Sequence, residues 1–380
     1  MSASSCLKRF ALLFVTLCLV GAADSHISAQ VPQEPNLYSP KTDPIVSVKF
    51  EQHLAGLSRQ DKVKVWVFFT DKGFVDMESF RSAMTQASNT LTPRAARRRA
   101  KTRKQSLVDF CDLPVNQAYI NRITDFKAKF RHRSRWLNAA SFEVPVSEVD
   151  KISELSFVRS IKPVLAGKRK PVRIEAPPDE SLQGKGSPDL NYGASYGQLQ
   201  QLNIPAVHNM GYYGQGVLVC MLDTGFRIDH QAFQQAYSEG RVLAEWDFVN
   251  DDGNTQNEPG DPSSAHNHGT LTWSALGGVA PGYLYGPAYG ADFIIAKTED
   301  VSMEQPIEED NWMAGMEWAD SIGAGVISSS LAYIDWYSYS HMDGNTAVTT
   351  IAADIAAQLG IVVCNSMANA GPGSGTLHAP

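Results

Sequence analysis

An aspartate that closes an apolar run and a histidine that opens a small-residue segment are the two positions in this chain best equipped for acid–base chemistry. Gly216 to Leu222 is apolar without the alternation of a half-exposed strand, so it reads as a buried parallel strand. Asp223-Thr224-Gly225 follows it and sets a carboxylate where the strand ends and the chain turns at a glycine. His268-Gly269-Thr270 follows a polar loop and leads into Leu271 to Gly278, a segment able to start a helix. A carboxylate at a strand end and an imidazole at a helix start can meet across the carboxyl edge of an open sheet, where such folds place their sites. The chemistry would be that of a general base held in one tautomer by a carboxylate and serving a hydroxyl nucleophile. Asp before His, with a Ser to follow, is one of the three chain orders of the Ser-His-Asp triad.

Other readings of the same residues are weaker. Aspartic proteases also use Asp-Thr-Gly, but they need two such carboxylates, and this chain has one Asp-Thr-Gly and no Asp-Ser-Gly. His266 and His268 form a His-x-His pair, yet the acidic residues nearby have no ligand spacing, so metal catalysis is not expected. Asp251, Asp252 and Asp261 would suit a hard cation by type but read as a solvated loop; no cofactor is expected, and structural calcium has no support from spacing. His230 and His266 read as structural or loop residues.

Several segments agree in order with one family. Val217 to Gly225 resembles the Asp box of the subtilisin-like serine proteases (subtilases, peptidase family S8), and Asn267 to Thr270 resembles their His box. Gly325-Val-Ile-Ser-Ser-Ser-Leu331 resembles the substrate-binding strand, and Gly360 to Gly371 the strand and turn that deliver an oxyanion-stabilising Asn. The resemblance implies Asp223 and His268 as triad members and Asn369 as the oxyanion donor, with Asn365 the lesser candidate. It also implies Ser330, Leu331 and Ala332 as the backbone that pairs with an extended polypeptide substrate. Ala368, Ala370 and Ala332 depart from the family pattern, which has glycines or a glutamate there. Ser328, Ser329 and Ser330 lie in a strand and are not expected to be nucleophiles. No Gly-Thr-Ser box occurs before Pro380. The simplest expectation is a catalytic domain cut short ahead of its nucleophile; the alternative is a catalytically inactive, subtilase-like binding module.

The elements around these boxes alternate. Val217 to Leu222, Phe293 to Ala296, Val326 to Ser329 and Ile361 to Cys364 read as strands, with helices over Pro306 to Ile322 and Ala347 to Leu359. Glu308, Glu309 and Asp310 sit in the first turn of the former, where the helix dipole favours anions. The fold class expected is α/β, a three-layer, parallel-sheet, subtilisin-like catalytic domain, incomplete, over 191–380. Ahead of it, residues 45–165 read as a small α+β unit. Its strands are Val63 to Phe69, Leu137 to Val144 and Val158 to Val164; one helix spans Phe74 to about Lys104, with its basic run solvated, and another Val146 to Leu155. Its last three elements resemble the end of a subtilase pro-region, which in that family assists folding and then occupies the active site. Residues 166–190, rich in Pro, Gly and charge, read as a linker, and Lys168-Arg169-Lys170 within it as a processing site or a solvated cluster.

Composition adds compartment and partner. Residues 1–29 carry Lys8 and Arg9, a short apolar run from Phe10 to Val20, and small residues at Gly21-Ala22-Ala23, the pattern of a secretory signal peptide too short to span a bilayer. A secreted or periplasmic protein without a membrane span is therefore expected. Of the Cys beyond it, Cys220 and Cys364 are expected to be buried in core strands, and an odd count of three speaks against a disulfide framework. Charge divides the chain: 30 of 33 Lys and Arg precede residue 186 against 18 Asp and Glu, a balance of +12, and the remainder has 3 against 22, or −19. A cationic pro-region docked on an anionic domain fits this split. Nucleic acid is not expected, since the basic run at Arg94 to Lys104 has no interleaved aromatics.

Overall fold

A computed structural model describes residues 45–164, 166–167, 190–301, 307–333 and 337–380. The expected signal peptide and the Lys168-Arg169-Lys170 cluster lie outside the described residues. The N-terminal unit runs α1 (Val48–Ala55), β1 (Lys62–Phe69), α2 (Met77–Thr90), α3 (Pro93–Arg99), α4 (Gln117–Thr124), β2 (Lys129–Ser134), β3 (Ala139–Pro145), α5 (Val146–Ser153) and β4 (Val158–Pro163). Its four strands form an antiparallel sheet in the order β2-β3-β1-β4. From Val65 to Phe69 β1 is wholly apolar and buried, because both of its faces are covered there. Val63, Val65, Val67 and Phe69 join Ile120, Ile123, Val149 and Ile152 in the unit's own core, while Trp66 and Phe68 point the other way.

What they meet is the C-terminal unit. It contains α6 (Tyr196–Gln201), α7 (Ile204–Asn209), β6 (Leu218–Asp223), α8 (Gln234–Ser238), β7 (Val242–Asp247), α9 (Asn267–Gly277) and the short pair β8 (Val279–Ala280) and β9 (Leu284–Tyr285). β10 (Asp292–Lys297), β11 (Ile307–Glu308), α10 (Glu309–Ile322), β12 (Val326–Ser329), α11 (Val348–Gln358) and β13 (Val362–Asn365) follow. β13-β12-β6-β10-β7 form one parallel sheet between two helical layers. β6 lies at its centre and shows why the apolar run lacked alternation. Leu218, Cys220 and Leu222 face α10 and α11, and Val219 and Met221 face the opposite core with Trp273 and Phe293. The α10–α11 core continues without a break into Trp66, Phe68, Trp136 and Leu137 of the N-terminal unit.

Polar contacts follow the same face of α10. Near its start Asp310 accepts from Arg131 Nε at 2.8 Å and from Ser141 Oγ at 2.9 Å. Burial alone would push its carboxyl up, but Arg131, His132 and Ser141 together hold it below the usual carboxylate range. Asn311 Oδ1 pairs with His132 Nε2 at 2.8 Å, and Glu317 accepts from Ser134 Oγ at 2.5 Å. Near its end Asp320 receives three guanidinium groups: Arg98, Arg99 at 2.7 Å and Arg135 at 2.9 Å. Arg99 also pairs with Asp112 at 2.8 Å. Neither α10 nor α11 has a basic residue in its last turn. The N-terminal unit supplies donors there instead: Arg98 reaches Ala324 O at 2.7 Å and Leu359 O at 3.0 Å, and Thr92 Oγ1 reaches Ile322 O at 3.1 Å. Cations and donors at helix C-termini satisfy the orphan carbonyls and the negative end of the dipole.

Three sequence expectations change here. The helix expected over 74–104 is two, because Thr92 caps a new one whose first residue is Pro93. Its basic run is solvated only in part: Arg97, Lys101 and Lys104 are exposed, but Arg98 and Arg99 are buried against α10. Cys364 is exposed, because β13 is an edge strand of the sheet. Cys220 is buried as expected, which pushes its thiol well up. The helices expected from 306 and 347 are described from Glu309 and Val348.

Candidate active site

The two tripeptides are stitched together by their small residues. Gly225 sits at φ +125°, which side chains rarely adopt, and a Cβ there would stand 2.9 Å from Thr255 O. At Gly269, in the first turn of α9, a Cβ would meet Gly225 O at 2.2 Å and Asp223 Cβ at 3.0 Å. Only a glycine lets the helix start approach the strand end this closely. Thr224 Oγ1 donates to Ala265 O at 2.6 Å, and Arg227 N donates to Thr270 Oγ1 at 2.8 Å, so each threonine ties its own segment to the other. Behind α9, Trp273 stacks on Phe233 at 3.8 Å and meets Phe226 edge-on at 5.9 Å, which fixes the helix against the sheet.

This frame brings Asp223 and His268 together. His268 Nδ1 lies 2.7 Å from Asp223 Oδ1, with the carboxylate 1% and the imidazole 19% exposed. Asp223 Oδ1 also accepts from Thr224 N at 2.7 Å, and Oδ2 accepts from Thr272 Oγ1 at 3.0 Å. An ionised carboxylate is acceptor-only, so Nδ1 carries the proton in this contact, and in the neutral imidazole the lone pair is then on Nε2. Nε2 makes no hydrogen bond among the described residues. The arrangement is a base held in one tautomer, with its working nitrogen on the carboxyl side of the sheet.

The neighbouring candidates resolve differently. His266 precedes α9 and exchanges hydrogen bonds with Asn257, its backbone N reaching Asn257 Oδ1 at 3.0 Å. Burial and the Arg227 charge push its imidazole pKa down. His230 caps a short helical turn by accepting from Ala232 N at 3.3 Å. Asp261 is taken by Lys297 at 3.0 Å, which also holds Asp247 at 2.9 Å; among the described residues no group of His, Cys, Asp and Glu has metal-ligand geometry.

Asn369 is exposed beyond the end of β13. β13 and β6 run parallel with β12 between them, so Asn369 and Asp223 share the carboxyl edge, but no hydrogen bond joins Asn369 to the Asp223–His268 pair. Asn365 spends its amide on Leu331 O at 2.9 Å and Ser366 O at 2.8 Å. Ser330, Leu331 and Ala332 follow β12; Leu331 is buried in the core, and the next residue, Tyr333, exchanges backbone hydrogen bonds with Ala379 at 2.8 and 3.0 Å. Ser329 Oγ accepts from Trp312 Nε1 at 3.0 Å, a packing role.

Beyond whole elements such as β2, which the sequence reading left unassigned, it missed two features nearer the site and the linker. Ala166–Gly167, assigned to the linker, forms a short strand, β5, that pairs antiparallel with β11 just ahead of α10. Two-residue strands have no periodicity to read. Thr272 did have a signal: it stands four residues after His268 on a helix, hence on the same face.

Residues 64–176 match the model of the peptidase S8 propeptide domain of Bacteroidota, and residues 214–380 match that of the subtilase family. The minor extracellular protease Vpr of Bacillus subtilis (strain 168) is 25% identical over 243 residues, 63% of this chain but 27% of Vpr, so the chain spans about a quarter of that relative. Among solved structures, fervidolysin from Fervidobacterium pennivorans, a keratinolytic enzyme related to subtilisin, matches at 18% identity and a TM-score of 0.46 over 84% of this chain and 41% of its own. The CspB protease of Clostridium perfringens matches at 25% identity and a TM-score of 0.37, over 46% of this chain and 41% of its own. With a propeptide domain leading into a subtilase domain, the chain belongs to the subtilisin-like serine protease family.

Proposed function

We propose that the chain belongs to a secreted serine endopeptidase precursor that hydrolyses polypeptides through an acyl-enzyme, its nucleophilic serine not being among these 380 residues. The observation that carries the reading is the 2.7 Å contact between His268 Nδ1 and a buried, three-donor Asp223. In this role His268 takes the proton of the serine hydroxyl through Nε2 and returns it to the leaving amine. Asp223 holds the imidazole and stabilises the imidazolium, and Asn369 donates to the oxyanion. The signal-like residues 1–29 and the extracellular relative Vpr support secretion. No helix among the described residues is long and apolar enough to cross a membrane.

Residues 45–165 act in this reading as an intramolecular inhibitor, released by cleavage in 166–190. Support comes from the shared core, the arginine contacts to α10, and the antiparallel pairing of Ala166–Gly167 with β11 in a two-stranded ladder of their own. Two results are expected. The 380-residue chain will neither hydrolyse casein nor take up a fluorophosphonate, since His268 has no serine to activate; labelling of one Ser within it would overturn the missing-nucleophile assignment. The released pro-region will inhibit the mature enzyme, and raising salt from low to molar levels will slow its association markedly while changing dissociation little. Long-range attraction between opposite charges is screened over about 10 Å at 0.1 M salt, whereas buried pairs are not. An association rate indifferent to salt would refute the electrostatic part, and absence of inhibition would refute the inhibitor assignment in favour of a binding module.

A further inference from the structure

Asp223 has two carboxylate oxygens and an uneven set of donors. Oδ1 accepts from His268 Nδ1 and from Thr224 N, each at 2.7 Å. Oδ2 has one donor among the described residues, Thr272 Oγ1 at 3.0 Å. The Thr272 hydroxyl also lies 3.1 Å from Gly269 O, the usual back-bond of a threonine inside a helix. It has a single proton and must choose between them. A charged acceptor makes the stronger bond, and Asp223 is 1% exposed, so water does not replace a missing donor there.

We propose that Thr272 is a positioning residue for the Asp223–His268 pair, its hydroxyl holding Oδ2 so that Oδ1 stays in line with His268 Nδ1. The inference rests on the acid–base reading of that pair. Four residues after His268 on α9, Thr272 reaches the carboxylate from the same helix that delivers the imidazole. One helix therefore supplies both the group to be oriented and the second clamp on the group that orients it. Without the hydroxyl, Oδ2 would be buried with no donor, and the carboxylate would relieve this by turning about its terminal torsion, taking Oδ1 away from Nδ1.

The test uses the full 380-residue chain labelled with ¹⁵N-histidine. The His268 N–H resonance is assigned by its loss in His268→Ala, and its exchange with solvent is measured. Wild type and Thr272→Ser are expected to show the same slow exchange, and Thr272→Val about tenfold faster exchange, the scale of one lost hydrogen bond to a charged group. A near-UV circular dichroism melt run alongside establishes that each variant is folded; Thr272→Ala takes the place of Thr272→Val if that protein does not fold. Exchange in the hydroxyl-free variant equal to wild type would mean that the proton goes to Gly269 O and would overturn the proposal. Failure of Thr272→Ser to restore slow exchange would assign the effect to methyl packing and overturn it equally. The readout is a proton on His268, not turnover, so inactivity of an enzyme that does contain the nucleophile would count against the catalytic reading and leave the coupling intact.

Discussion

In an enzyme extended to include its nucleophile, Asp223→Asn is expected to lower kcat by about 10⁴-fold and His268→Ala by about 10⁶-fold, with KM little changed. The geometry sets the direction of both. His268 is oriented by one hydrogen bond from Nδ1 to Asp223 Oδ1 at 2.7 Å, so the tautomer depends on an acceptor at that place. An asparagine at 223 has similar shape but can present N–H to Nδ1, which stabilises the tautomer with its proton on Nε2, the nitrogen needed as base. An alanine at 268 removes the base altogether. The backbone proposed to pair with substrate and the proposed oxyanion donor, Asn369, are untouched by either change, which is why binding should survive. Steady-state kinetics on a peptide ester, with folding checked by near-UV circular dichroism, decides the matter. An Asp223→Asn enzyme within tenfold of wild-type kcat would show that the carboxylate only supports the fold.

The site was legible in the sequence where it is local. Asp223 ends an apolar run whose two faces are both buried, and that lack of alternation is itself the mark of a central parallel strand. Gly225 and Gly269 looked like ordinary turn and helix-start residues, yet a Cβ at Gly269 would strike Gly225 O, and one at Gly225, already at positive φ, would crowd Thr255 O. The meeting of the two motifs was thus written in residues whose reason is only visible in three dimensions. The interface was less legible. Opposite charge of the two halves pointed to docking, but not to which arginines would be buried. Arg98 and Arg99 sit in a run that reads as solvated, and nothing nearby in sequence announces an acid 221 or 222 residues away. Trp66 and Phe68 had the same ambiguity: an unbroken apolar run from Val65 to Phe69 says that both faces are covered without saying by what. Cys364 failed for the opposite reason, since a strand's apolar composition does not reveal that it lies at a sheet edge.

The second large effect is expected at Asp320. This carboxylate is buried and holds Arg98, Arg99 and Arg135 of the N-terminal unit, while Asp112 within that unit pairs with Arg99 at 2.8 Å and Arg103 at 3.8 Å but not with Arg98. Asp320→Ala would leave Arg98 buried without an acidic partner, and removing one member of a buried ion pair costs about 3–5 kcal/mol. At about 1.4 kcal/mol per factor of ten, the two units should then hold each other at least 10²-fold more weakly. The measurement is made on the full chain with a specific protease site placed within 168–189. After the chain is cut there, separation of the two pieces is followed by gel filtration and by the rate of exchange with labelled N-terminal unit. Wild type should stay together, held by the apolar contacts of Trp66, Phe68 and Trp136 as well as by the ions, and Asp320→Ala should come apart. A compensating variant separates charge from packing. Asp320→Leu combined with Arg98→Met and Arg99→Met removes most of the buried charges together, and such replacements are often neutral or stabilising. Asp112 then loses its closer partner, so Asp112→Leu is included; Arg103 keeps Asp109 at 2.7 Å. If that quadruple variant stays together while Asp320→Ala separates, the arginines fix which surface the pro-region chooses, and the apolar face supplies the strength. If Asp320→Ala stays together as firmly as wild type, the arginine cluster contributes nothing to docking and the shared core alone accounts for it.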